Sequence, residues 1–271
     1  MKRDPVLIIG AGIGGLSTAA YLSRKGISSI ILEQSSHIGG RCCTREIAGY
    51  SHEIGALYLG GADFRNLREI YGVECKTVPV RCGVKIHKEI VDVKWGIRSL
   101  WRIHECGVSW REILEFVFRF TKAIRRDDFS ESASMGDVFD SLTQNDTLKK
   151  VLLAAAGQSG ISPYQLPARN LSQRHPIAKY RLLEPEYIRG GNGELAKILS
   201  EVAMQNCTIK SNQEVKKILI KNGYATAVQT DSDEYKSLIV VSNAGLKRTV
   251  QNMTDQDVWP EYYYKRVSMT G

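Results

Sequence analysis

The sequence predicts an α/β fold: a parallel-sheet domain of alternating strands and helices, interrupted by an inserted α+β segment. Three observations carry this expectation. The first is a strand–turn–helix–strand pattern: the apolar run Val6-Leu7-Ile8-Ile9, the turn Gly10-Ala11-Gly12-Ile13-Gly14-Gly15, small residues through Ser23, and a second apolar run Ile30-Ile31-Leu32. The second is a later glycine cluster, Gly190-Gly191-Asn192-Gly193, that opens a helix with Leu195, Ile198, Leu199 and Val202 on one face. Strands follow it, the last of them Ser237–Gly245, ending in small residues. The third is the stretch between, where short alternating strands give way to amphipathic helices.

The spacing G-x-G-x-x-G falls on Gly10, Gly12 and Gly15. In a Rossmann-like unit the first glycine permits the sharp turn and the second lets backbone approach a pyrophosphate. The third lets helix and sheet pack closely. The anion then sits at a helix N-terminus, among free N–H groups and the positive end of the macrodipole. Glu33 closes the second strand at the distance expected of a ribose acceptor, with Gln34 directly after it. Gly10, Gly12, Ile13, Gly14, Gly15, Glu33 and Gln34 are therefore expected to bind a dinucleotide.

Beyond that strand stands Gly39-Gly40-Arg41. A guanidinium there can pair with phosphate in a fork geometry that lysine cannot match. With this second element the sequence resembles the FAD-dependent amine oxidase and phytoene desaturase group. The resemblance implies FAD as cofactor and adds Gly40 and Arg41 to the expected contacts. A later stretch, Glu53-Ile54-Gly55-Ala56, is similar to the segment that returns the chain beneath the flavin in that group, which implies roles for Gly55 and Ala56. Read from residues alone, the same stretch is a β-turn with a solvated Glu53, and both readings stand.

The chain has 271 residues and a formal charge of +8. Its basic residues are scattered, apart from a denser patch at 119–126, and form no nucleic-acid-binding module. The N-terminus runs straight into the first strand, and no apolar run is long enough to cross a bilayer. Six cysteines (Cys42, Cys43, Cys75, Cys82, Cys106 and Cys207) lack both metal and secreted-domain spacing, so reduced thiols in a cytoplasmic protein are expected. His52 has no second histidine at ligand spacing and reads as a partly buried structural imidazole; no metal site is expected.

In chain order, residues 64–71 read as a helix. Strands are expected near Val78-Pro79-Val80, Val84-Lys85-Ile86 and Ile90-Val91-Asp92-Val93. Trp110, Ile113, Leu114, Val117, Phe118, Thr121 and Ile124 recur at helical spacing, opposite Arg111, Lys122, Arg125 and Arg126. Such a basic amphipathic helix either packs into a core or lies peripherally on a membrane. Two further helices are expected at 135–142 and 146–157. Downstream, Glu214–Ile220 and Ala225–Thr230 are joined across Asn222-Gly223 as a hairpin. Ser237–Gly245 reads as a buried strand.

The order from the second glycine cluster to Val240-Val241-Ser242-Asn243-Ala244 also resembles the phytoene desaturase type. There the residue matching Val215 borders the adenine, and the stretch matching Asn243 and Ala244 closes the nucleotide domain; on its own sequence Val215 reads equally as plain β-core. The expected organisation is a discontinuous FAD-binding domain over 1–72 and 184–250, with an inserted substrate domain over 73–183. Residues 251–271 would begin a further substrate-domain segment, ending in another strand with an exposed edge near Val267-Ser268-Met269. The family fold's C-terminal part would be missing and supplied by a companion chain, or the chain would be a fragment. The resemblance implies an oxidoreductase passing hydride or electron pairs between FAD and a small organic substrate. That substrate is expected to be apolar, from the richness of the insertion in Trp95, Leu100, Trp101, Phe116, Phe118 and Phe120. No catalytic residue is nominated. The alternatives are a non-catalytic binding protein resembling GDP-dissociation inhibitors and an inactive truncated flavoprotein.

Overall fold

A computed structural model describes residues 4–56, 59–60, 64–80, 83–86, 89–92, 97–127, 129–130, 132–157, 161–171 and 185–269. The chain divides into two units, Met1–Leu59 with Phe64–Val78 and Tyr187–Gly271, and Gly60–Asp63 with Pro79–Glu186.

The first unit is built on a four-stranded sheet in the order Cys207–Lys210, Ser29–Leu32, Val6–Ile9, Val240–Ser242, and every pairing is parallel. The side chains of Val6–Ile9 alternate. Val6 and Ile8 join a cluster with Leu16, Ala19, Ala20, Leu195, Leu199 and Ala203, whereas Leu7 and Ile9 join one with Leu32, Val215, Ile218, Val228 and Met253. Burial on both faces explains why the strand is continuously apolar. Helices Ile13–Arg24 and Gly193–Ala203 cover one face, and Ala19, Ala20 and Ala203 are fully buried in the cluster that contains them. On the other face lies a three-stranded antiparallel sheet of Lys217–Lys221, Tyr224–Gln229 and Glu234–Lys236. Its first turn places Asn222 and Gly223 at φ 53° and 78°, the left-handed pair that a two-residue hairpin needs.

Two strand expectations for this unit need correction. Ser237–Gly245 is not a buried strand: only Val240–Ser242 pairs, at one end of the sheet order, and Leu238 and Ile239 are 75% and 58% exposed. The run is apolar, but as a sheet edge it has a strand on one side only among the described residues. The final stretch is a helix, Glu261–Ser268, not a strand. Pro260 starts it with φ −54°, Glu261 bonds Lys265 one turn on at 2.7 Å, and its acid and bases stand at the ends the macrodipole favours. Those local terms override the β-propensity of three consecutive tyrosines. Val267 is buried inside this helix, so the expected exposed edge does not exist.

The second unit contains a hairpin, Gly83–Ile86 with Glu89–Asp92, and the helices Ile97–Glu105, Trp110–Arg126, Met135–Leu142 and Asp146–Gly157. The first of these helices was not expected from the sequence. The unit's core joins Ile86, Ile103, Val108, Ile113, Phe116, Phe139, Leu148 and Leu152. Ser109 and Ser134 each close a capping box, with Glu112 and Asp137, so two helix starts are satisfied locally. The expected residue Trp95 lies outside the described residues. Among the other aromatics and Leu100, Phe116 is core, Leu100 and Phe120 pack against it, and only Trp101 and Phe118 are exposed.

The helical reading of the last stretch is testable. Val267→Asp places a charge at a buried position and should lower stability by about 2 kcal/mol or more, seen as a lower melting temperature. Met269→Asp, at an 83% exposed residue, should leave the melt unchanged. Equal tolerance of both would return the segment to an edge strand.

Candidate functional site: the glycine turn and the strand ends

The glycine turn leaves Val6–Ile9 through Gly10 at φ +93°, a conformation that L side chains rarely adopt. A Cβ at Gly15 would run into the Gly10 carbonyl oxygen and stand 3.4 Å from Ile8 Cγ2, so only glycine lets this helix start so close to its strand. Helix Ile13–Arg24 begins with no side-chain cap on Gly12 and no acid in its first turn. Its leading N–H groups are thus neither capped nor neutralised, the condition in which a helix start receives an anion.

The turn is held at two points. The Ala11 N–H donates to Glu33 Oε2 at 2.7 Å in a buried bond, and the Ser35 N–H and hydroxyl donate to Glu33 Oε1 at 2.9 and 3.0 Å. A carboxylate has about four acceptor positions, so Oε2 keeps capacity for a further donor such as a sugar hydroxyl. From the other side the Gly39 N–H donates to the Ala11 carbonyl at 2.8 Å. A Cβ on Gly40 would come within 3.3 Å of Gly12 Cα. Gly39-Gly40 is therefore stacked directly on the glycine turn. Arg41 follows, exposed, with no hydrogen bond or ion pair for its guanidinium among the described residues.

The strand ends bring in the downstream candidates. The Asn243 N–H donates to the Ile9 carbonyl at 2.8 Å, and its side chain lies where a Cβ on Gly12 or Gly14 would meet it. Ala244 continues from there. The segment before Val215 is tied to the Glu33 strand end by Gln213 N–H to the Glu33 carbonyl at 2.8 Å and Asn212 N–H to the Ser35 carbonyl at 3.1 Å. The Val215 side chain itself is core, among Leu7, Ile9 and Val228. Arg248, which sequence reasoning missed, donates to Gln34 Oε1 at 2.7 Å and pairs with Glu214 at 2.6 Å, so it bridges the two segments. No spacing signal could have found it, because its partners lie 214 and 34 residues away.

Gly55 and Ala56 join the same region through backbone. The Ala56 N–H donates to the Arg41 carbonyl at 2.7 Å, and a Cβ at Gly55 would stand 2.6 Å from that oxygen. Glu53 is half-buried and fully engaged by protein donors rather than free in solvent. It accepts from Thr44 Oγ1 at 3.0 Å, from the Tyr187 hydroxyl at 2.8 Å and from the Asn192 N–H at 3.0 Å. The tyrosine bond, with burial second, pushes the Tyr187 phenol up from its usual range. Asn192 is fully buried and donates its amide to the Ala56 carbonyl at 2.6 Å, while Gly193 N–H donates to Thr44 Oγ1 at 2.9 Å. Thr44, Tyr187 and Asn192 were also missed; only the Gly-Gly-Asn-Gly cluster hinted at one of them.

His52 is corrected: it is exposed, paired across Arg45 in a two-stranded ribbon, not partly buried. Burial raises the thiol of Cys42, with the neighbouring Arg41 charge opposing it. Five described cysteines are free, and no cluster of potential metal ligands occurs among the described residues.

Residues 8–72 match the model of the NAD(P)-binding Rossmann-like domain. The chain is 39% identical over 289 residues to a phytoene desaturase of Cercospora nicotianae, an alignment covering 90% of this chain and 46% of that protein. It is 41% identical over 80 residues to polyamine oxidase 7 of rice, covering 29% and 17%. A solved oxidoreductase of Methanosarcina mazei superposes with a TM-score of 0.79 at 22% identity, covering 97% of this chain and 64% of that one, which shows a shared fold. The expected resemblance to the amine oxidase and phytoene desaturase group therefore holds, as does the α/β Rossmann-like fold. The chain spans about half the length of the curated relatives it matches along most of its own length.

The turn's geometry separates two glycines. Gly15→Ala meets fixed backbone and should lower stability by about 1–3 kcal/mol. Gly14→Ala meets only the exposed Asn243 side chain and should melt within a degree or two of the parent. Indistinguishable melts would contradict the close helix–strand approach.

Proposed function

We propose that the chain is the nucleotide-binding half of a cytoplasmic FAD-dependent oxidoreductase of the desaturase and amine oxidase type. The observation that carries this reading is the uncapped, acid-free helix start beside a Glu33 carboxylate with acceptor capacity to spare. In this assignment the first-turn N–H groups following Gly12 take the pyrophosphate, Glu33 takes a ribose hydroxyl, and Arg41 supplies a cation for phosphate. Gln34, Val215 and Arg248 border the adenosine end. When bound, FAD would supply the hydride or electron-pair chemistry; this chain's residues hold and orient its AMP half.

The pattern of likeness supports an apolar substrate better than composition does, since Phe116 is core and Leu100 and Phe120 pack against it. The polyamine oxidase alignment covers only 29% of this chain, whereas the alignment with a protein named for phytoene, an isoprenoid hydrocarbon, covers 90%. The region beyond the fingerprint thus sides with the isoprenoid-named relative. A companion polypeptide segment supplying the flavin half is part of the same proposal. The edge strand Val240–Ser242, led by exposed Leu238 and Ile239, has backbone unpaired among the described residues, open to one more parallel strand.

Calorimetric titration of the 271-residue chain with FAD, ADP and FMN tests this assignment. ADP and FAD should bind with dissociation constants within about threefold of each other, and FMN should not bind, because only the AMP half has its contacts here. Glu33→Ala and Arg41→Ala should each weaken ADP about tenfold or more, as loss of a charge-assisted bond implies. Arg41→Ala should leave the melt unchanged, while Glu33→Ala should lower it by freeing the Ala11 and Ser35 donors. Absence of binding by both adenine nucleotides would favour the GDP-dissociation-inhibitor-like alternative and end this proposal.

A further inference from the structure

We propose that helix Trp110–Arg126 docks the protein on an anionic membrane surface through the face it turns away from its own core. The helix is partitioned. Ile113 and Phe116 are buried in the second unit's core, with Val117 and Phe120 packed against it. The opposite side carries Arg111, Leu114, Glu115, Phe118, Arg119, Lys122, Arg125 and Arg126, all exposed. At 100° per residue Arg111, Phe118, Lys122 and Arg125 fall on one stripe, with Leu114 along one flank and Arg126 and Arg119 along the other.

Two features of that face fit a lipid surface. First, its charge is one-sided: five cations stand against Glu115, which lies 3.9 Å from Arg119. Arg111, Lys122, Arg125 and Arg126 have no hydrogen-bond or ion-pair partner among the described residues. Second, Leu114 and Phe118 are 62% and 67% exposed in the midst of these charges. One turn apart, they form an apolar pair that no described residue of the unit buries. Trp101, 55% exposed, lies beside the start of the same helix, its ring 5.7 Å from that of Trp110. Aromatic and aliphatic side chains projecting through a ring of basic ones match the boundary between acyl chains and anionic headgroups. A nucleic acid would use the cations but leave Leu114 and Phe118 wet. No described helix is long and apolar enough to cross a membrane, and the docking proposed is through this helix face alone. The Ser109–Glu112 capping box fixes the helix before any lipid is present, so docking requires no folding on the surface. The inference does not depend on the cofactor assignment, because every residue it uses lies in the second unit.

The test is flotation of the 271-residue chain with vesicles of phosphatidylcholine alone and of phosphatidylcholine with phosphatidylserine, at low and high salt. The expected result is recovery at least about fivefold greater on the anionic vesicles, falling towards the neutral level in high salt as screening sets in. Leu114→Ser with Phe118→Ser should abolish flotation, and Lys122→Gln with Arg125→Gln should reduce it severalfold, both with unchanged melting temperature. As a charge control, Lys221→Gln with Lys236→Gln removes the same charge from exposed positions in the other unit and should float like the parent. Equal recovery on both vesicles, no flotation, parental behaviour of the helix variants, or an equal loss in the control would each overturn the proposal.

Discussion

The buried hydrogen bond from the Ala11 N–H to the Glu33 carboxylate, 2.7 Å long, is the contact on which the nucleotide-binding end depends. A parallel sheet aligns its strands but leaves the loops at their carboxyl ends free to diverge. Here the loop leaving the first strand is tied to the residue that ends the second. The carboxylate thereby accepts a donor that would otherwise be buried unpaired, an omission worth about 1–3 kcal/mol. With Ala11 fixed, its carbonyl accepts from Gly39, and Gly40 comes to rest on Gly12. One acid thus sets the spacing of the glycine turn, the second strand and the Gly-Gly-Arg element together.

A second acid acts in the same way at the other helix. Glu53 gathers a threonine hydroxyl, a tyrosine hydroxyl and the Asn192 N–H. Gly191, at φ +101°, has no room for a Cβ against Thr44, so the glycines before helix Gly193–Ala203 allow close docking on the ribbon that carries Glu53. This helix shares its buried cluster with the fingerprint helix, Leu195 and Leu199 lying with Leu16 and Ala20. The two glycine clusters, though far apart in the chain, therefore build one layer. They look alike in sequence because they serve the same steric end. Each lets a helix start against backbone where a side chain would block it.

Sequence made the first of these helix starts legible and the second only half so. Gly10, Gly12, Gly15 and Glu33 announce themselves because their roles depend on fixed local spacing, which a linear reading preserves. Glu53 was visible, but its donors Tyr187 and Asn192 lie 134 and 139 residues away, and distance along the chain hides a partner. Arg248 escaped for the same reason. The errors have a different origin. Tyr262-Tyr263-Tyr264 reads as strand by propensity, yet Pro260, Glu261 and Lys265 supply a helix start and an i,i+4 pair that outweigh it. Leu238 and Ile239 read as core because they are apolar, but burial requires a neighbour, and pattern alone cannot say that a strand is last in its sheet.

That last point bears on how the two faces of exposed apolar residues in this protein differ. Leu238 and Ile239 lead into a strand that ends its sheet among the described residues, an edge of the kind that suits an extended peptide by main-chain pairing. Leu114 and Phe118 project from a helix whose backbone is satisfied internally and whose neighbours are cationic, so nothing there selects a strand. Main-chain hydrogen bonding recognises another polypeptide; a charged rim around apolar side chains recognises an interface between oil and water. The same kind of residue, exposed in both places, thus suits different partners according to the secondary structure that holds it.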